Sequence, residues 1–184
     1  SEGARLGIPT AAHCIGGQGL KDCIDGGVDV IEHMYMATEQ DVDRLASSRC
    51  VVDLTSGIFL DPSREEFLSP ANALKVRQNR SRVRENVSRI IKARLPFVLG
   101  TDAYHGLLYR EVGYAVELGA APVTAIQGVT SHAAKVCRLE DRIGKLENGL
   151  EADIIAVKGN PLKDVSRLSQ VGLVMKGGVI YRQP

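Results

Sequence analysis

The run Leu95-Pro96-Phe97-Val98-Leu99-Gly100-Thr101-Asp102 constrains this 184-residue chain more than any other stretch. A continuous apolar segment of strand length, entered through a proline and stopped by Gly-Thr-Asp, reads as a strand covered on both faces, the habit of parallel sheets in α/β folds. It delivers a carboxylate at its C-terminal end, where such sheets keep their ligand sites. Two earlier segments finish in the same way, Thr10-Ala11-Ala12-His13 and Val28-Asp29-Val30-Ile31-Glu32-His33. Each alone is ordinary: a histidine at a strand end is more often a hydrogen-bonded structural residue, and Gly-Thr-Asp can be a plain turn. Three such ends in register are much harder to obtain by coincidence.

The segments between them supply the crossovers that parallel strands require. Gln18 to Asp25 has helical spacing at Leu20, Cys23 and Ile24, and Gly26-Gly27 is a helix stop. Thr38 caps a second helix that has acids in its first turn and Val42, Leu45 and Ala46 on one face. Cys50 to Thr55 is a third strand, expected to be parallel and covered. Residues 56–70 read as a loop on the functional rim, and a long basic helix over residues 71–94 follows, with Val76, Val83, Val87, Ile90 and Ile91 as its stripe. A helix spans residues 108–118, and Pro122 opens another with Ala125, Ile126, Val129, Ala133 and Val136 on its inner face. His132, within it, suits a surface or capping role. From residue 143 the texture turns to β, with a strand over 153–157 and a hairpin around Lys176-Gly177-Gly178. The boundary therefore divides the chain into residues 1–142 and 143–184.

Charge and cysteine content narrow the function classes. With 23 basic and 22 acidic side chains there is no reason to expect a polyanion, and the arginine-rich helix has no interleaved aromatics, so nucleic acid is not an expected partner. No apolar run approaches the ~20 residues of a membrane span, so no membrane is expected either. Cys14, Cys23, Cys50 and Cys137 show no C-x-x-C pair. They read as reduced thiols, mostly buried, which points to a cytoplasmic setting.

His13 and His33 lie 20 residues apart, one βα repeat, so their strands should be neighbours with both imidazoles at one end of the sheet. In a closed (β/α) barrel Asp102 would converge with them at the mouth. Two neutral imidazoles and a carboxylate are a reasonable catalytic zinc set that leaves a coordination position open.

Ala11-Ala12-His13, Ile31-Glu32-His33, Leu99-Gly100-Thr101-Asp102-Ala103 and the tail running from Gly144 to Val157 resemble the C-terminal half of an amidohydrolase-superfamily enzyme, in its imidazolonepropionase-like and Xaa-Pro dipeptidase-like branch. The resemblance covers essentially the whole chain. It implies an α/β fold: strands five to eight of a TIM-like (β/α)8 barrel over residues 1–142, then part of a composite β-sandwich over 143–184. His13, His33 and Asp102 then match the metal ligands of the fifth, sixth and eighth strands. His33 and Asp102 are the catalytic candidates, and Asp102 handles the proton. Tyr104 and His105 are the substrate-binding candidates. The activity implied is hydrolysis of a non-ester C–N bond in a small amide, dipeptide or cyclic amide, with one or two zinc ions.

The pattern is incomplete. The family's early His-x-His and its bridging lysine or glutamate have no counterpart, and the position two after His13 is Ile15. A half-barrel exposes two sheet edges and an apolar inner face. The expectation is a fragment that needs a missing N-terminal half or a homo-oligomer. The rival expectation is a catalytically inactive half-barrel serving as an assembly or binding module.

Overall fold

The computed structural model describes residues 2–102 and 106–183. In chain order the elements are α1 (Glu2–Leu6), β1 (Ala11–Cys14), α2 (Gln18–Asp25), β2 (Val30–His33), α3 (Glu39–Ala46), β3 (Val51–Leu54), α4 (Gly57–Leu60), α5 (Pro70–Lys92), β4 (Phe97–Leu99), α6 (Leu108–Glu117), α7 (Pro122–Gly128), α8 (Ser131–Val136), β5 (Ile154–Val157), β6 (Val171–Lys176) and β7 (Val179–Arg182). Strands β1 to β4 form one parallel sheet in sequential order, with a crossover between each pair. Strands β5 to β7 form a separate antiparallel sheet.

The parallel sheet is built against its helices. Ile31, Val52 and Leu54 are fully buried and join Val83, Val87 and Ile90 of α5 in one core cluster. Each contributes roughly 1.5–3 kcal/mol by leaving water. Strand β4 is buried at all three residues, as a covered strand should be. Strand β3 is not covered on both sides: Val52 and Leu54 are buried while Val51 and Asp53 are only half-buried, so the face away from the helices stays partly open.

Local chemistry sets the element ends. Gly27, at φ +70°, closes α2, with its N–H on the Ile24 carbonyl and that of Val28 on the Cys23 carbonyl, a left-handed cap that favours glycine. Ser69 accepts from the Asn72 N–H at the start of α5, with Pro70 in the first turn. Three of the arginines of α5 are engaged within the molecule: Arg77 on Glu65 at 2.7 Å, Arg84 on Glu117 at 2.6 Å and Arg89 on the Ala37 carbonyl at 3.2 Å.

Asp41 ties α3 to the loop that leaves β1. Its buried carboxylate accepts from the Thr38 N–H and hydroxyl, both at 2.9 Å, from the Gly17 N–H at 3.2 Å and from Arg44 at 3.0 Å. Burial alone would raise its pKa, but these donors outweigh it and the net shift is downward. A folded pKa below the unfolded one stabilises the protein fully above the unfolded carboxylate pKa of about 4, and that stabilisation is lost as pH falls through the folded value. Asp41→Ala is therefore expected to cost about 2–3 kcal/mol near neutral pH. The gap from wild type should narrow in urea titrations as the pH drops below about 4.

Four expectations change. Residues 56–70 are not an irregular loop: α4 and a 3-10 helix over Pro62–Phe67 occupy them, the latter capped by Asp61 accepting from the Ser63 N–H. The helix opened by Pro122 is two helices. Thr130 breaks it, its hydroxyl donating to the Ile126 carbonyl, while Gly128 lies close to Phe97 and Leu99. Among the free cysteines only Cys14 and Cys50 are buried, whereas Cys23 is half-buried and Cys137 exposed. The tail adds a 3-10 helix over Val165–Ser169 whose Val165 and Leu168 pack on the main core, and Gly177 and Gly178 make the β6–β7 turn with φ +53° and +81°. None of the described helices is long and apolar enough to cross a membrane.

Candidate metal centre

Register and alternation decide which side chains meet. His13 lies opposite Glu32, Glu32 opposite Asp53, and Asp53 opposite Val98. Cys14, Ile31, Val52, Leu54, Phe97 and Leu99 join the helix-side core, so the pleat turns His13, Glu32 and Asp53 to the other face.

His33 pairs with Cys14 in the ladder, and regular alternation would send both toward the helices. Its backbone instead takes φ +80°, followed by Met34 at +53°. The ring ends edge-on to His13, with centroids 4.7 Å apart and planes at 65°. Non-glycine residues rarely occupy this region, and where they do they cluster at functional sites. Asp102, at φ +54°, does the same after β4, so two of the three candidates sit on left-handed backbone, which is otherwise found among the described non-glycine residues at Met34, Arg94 and Arg138.

His33 is held from behind. Its Nδ1 is 2.7 Å from Thr55 Oγ1, and its ring stacks on Tyr35 at 5.2 Å and 23°. Tyr35 in turn meets Phe59 edge-on. Burial, then the neighbouring His13, lowers the His33 pKa against the opposing pull of Asp102 and Glu32. The neutral imidazole, the form that ligates metals, is thereby favoured. Asp102 is exposed at this same end, near enough for its charge to act on His33.

The structure thus brings His13 and His33 into ring contact and sets Asp102 nearby. It does not gather three such donors into a closed cage among the described residues. Tyr104 and His105 lie outside the described residues. His132 is elsewhere, beside Pro96 and Phe97 at the start of β4. With Nδ1 of His33 engaged by Thr55, its Nε2 is the atom left for a ligand bond. Two imidazoles and a carboxylate fit a divalent ion of the zinc type as part of a ligand set.

Two polar arrangements beside the site were not singled out from sequence. Burial, and then the Glu32 carboxyl next to it, pushes Asp53 up to about 8. A side chain at Gly100 would come within 2.7 Å of the Asp53 carboxylate and would have to displace it. The signal was an acid interrupting Val51-Val52-Asp53-Leu54. The second arrangement is the buried pair of Arg64 and Glu111, 3.1 Å apart. Arg64 also reaches the Thr101 carbonyl at 3.4 Å, and Glu111 accepts from the Gly57 N–H at 2.9 and 3.0 Å. This pair braces the residue preceding Asp102 against α4 and α6, and no local pattern announces it.

Known proteins share this fold and are similar in sequence. The family model described as the amidohydrolase family matches residues 2–181. Ochratoxinase from Aspergillus niger is 30% identical over 196 aligned positions, covering 100% of this chain and 40% of that protein. Imidazolonepropionase from Erwinia tasmaniensis is 30% identical over 131 positions, covering 67% of this chain and 28% of that protein. The crystal structure of a Xaa-Pro dipeptidase with methionine bound in its active site superposes with a TM-score of 0.88 at 30% identity, covering 98% of this chain and 46% of that one. The chain therefore spans less than half the length of these relatives, and its parallel α/β architecture corresponds to about half of their barrel fold. On this sequence match and this superposition, the chain belongs to the amidohydrolase family.

Proposed function

We propose that these residues form one part of the metal centre of a hydrolase that cleaves a non-ester C–N bond in a small amide, dipeptide or cyclic amide. The observation that carries this reading is the contact of His13 with His33 at the ends of adjacent parallel strands, with Asp102 at the same end. The names of the relatives, a dipeptidase, an ochratoxinase and an imidazolonepropionase, agree with the substrate class. One or two zinc ions, held by His13, His33 and Asp102 with further donors from outside these residues, would supply carbonyl polarisation and a more acidic water. His13 and His33 act as neutral nitrogen donors. Asp102 takes the proton of the attacking water and returns it to the departing nitrogen, a role open to an exposed carboxylate at the mouth. Tyr104 and His105, in the segment after Asp102, are the proposed substrate contacts.

The test is zinc binding by isothermal titration. Wild type is expected to bind zinc, and His13→Ala and Asp102→Asn to weaken binding by more than about tenfold with the fold intact by circular dichroism. Folded protein whose zinc affinity is indifferent to both substitutions would instead identify an inactive assembly or binding module.

A further inference from the structure

The third strand of the sheet offers no metal donor to the proposed centre, yet its end is built with care. Thr55, directly after β3, is 2% exposed and touches His33 and Tyr35 together. Tyr35 Oη donates to the Thr55 carbonyl at 3.0 Å and is also in hydrogen-bond contact with Thr55 Oγ1. A carbonyl only accepts, so we assign the phenol hydrogen to it and the second contact to donation by the threonine hydroxyl, the arrangement that satisfies both contacts. That hydroxyl has one hydrogen. With it committed to Tyr35, Oγ1 can only accept from His33, and the Nδ1 atom of His33 must carry a proton.

We infer that Thr55 and Tyr35 form a tautomer lock: they hold His33 in its Nδ1–H form and present the Nε2 lone pair to the metal, making both of them positioning residues. Free imidazole side chains favour the opposite tautomer, so without the lock His33 presents the wrong nitrogen edge more often than not. The supports are themselves fixed. Asn86 on α5 donates to the Tyr35 carbonyl at 2.8 Å, and Tyr35 is wedged between the His33 and Phe59 rings. The left-handed backbone at His33 turns the ring toward His13, and the hydroxyl relay then sets which nitrogen faces outward. The inference deepens the metal reading above and rests on it for the role of Nε2, but the tautomer itself is an observable of the metal-free protein.

The test is long-range 1H–15N correlation spectroscopy of His33 in metal-free protein, followed by zinc titration. Wild type should show a protonated Nδ1 and a lone pair on Nε2. Thr55→Val should shift the ring to the Nε2–H form or a mixture and weaken zinc binding about 10–100-fold, while Thr55→Ser restores both. Tyr35→Phe, which keeps the stacking ring, should give a mixed tautomer and serves if Thr55→Val folds poorly. A wild-type ring protonated on Nε2, or a Thr55→Val ring still protonated on Nδ1, would overturn the lock. A wild-type Nδ1–H ring in protein that binds no zinc would uphold the lock and refute the metal reading.

Discussion

Arg64→Ala is expected to lower the unfolding free energy by about 3–5 kcal/mol, the usual cost of stranding one member of a buried ion pair. Arg64 and Glu111 are each 1% exposed, so neither charge has water to fall back on. The Glu111 carboxyl left behind, already pushed up to about 7 by burial, would keep only its backbone donors, including the Gly57 N–H, while a guanidinium-sized void opens between α4, α6 and the Thr101 carbonyl. Exposed pairs such as Lys21–Asp25 and Arg142–Glu151 are worth about 0–1 kcal/mol, so their removal is the internal control. Replacing both members, Arg64→Met with Glu111→Leu, should recover most of the loss and leave about 1–3 kcal/mol for the unpaired Gly57 N–H. Urea denaturation at one pH and salt concentration measures all four; a loss below about 1 kcal/mol for Arg64→Ala would mean the pair is not desolvated.

Under the proposed chemistry, Asp102→Asn is expected to reduce the rate of C–N bond hydrolysis by about 10²–10⁴-fold, because an amide can neither accept nor return the proton. The fold should hardly notice. Asp102 is exposed, and asparagine tolerates a φ of +54° as well as aspartate does, so stability should stay within about 0.5 kcal/mol. Steady-state kinetics on amide and dipeptide substrates would decide the matter, since a variant within about threefold of wild type would remove Asp102 from the proposed proton transfer.

The fold was legible where its cause is short-range. The apolar run before Gly100 announced a covered strand, Gly27 a helix stop and Thr38 a cap, because periodicity and capping act within one or two turns. The broken helix at Thr130 escaped notice, since a hydroxyl bonding the carbonyl four residues back leaves no trace in the apolar pattern.

The candidate site divides along the same line. By itself the sequence determined that His13, His33 and Asp102 stand at the ends of parallel strands, since strand length, repeat spacing and terminators all follow from neighbouring residues. Only the tertiary structure decided how they are presented. The left-handed turn that swings His33 out of the ladder, Thr55 meeting it across 22 positions, and Arg64 finding Glu111 across 47 all depend on distant segments packing together. Contacts of that span are set by how the layers close on one another, and no local pattern encodes them.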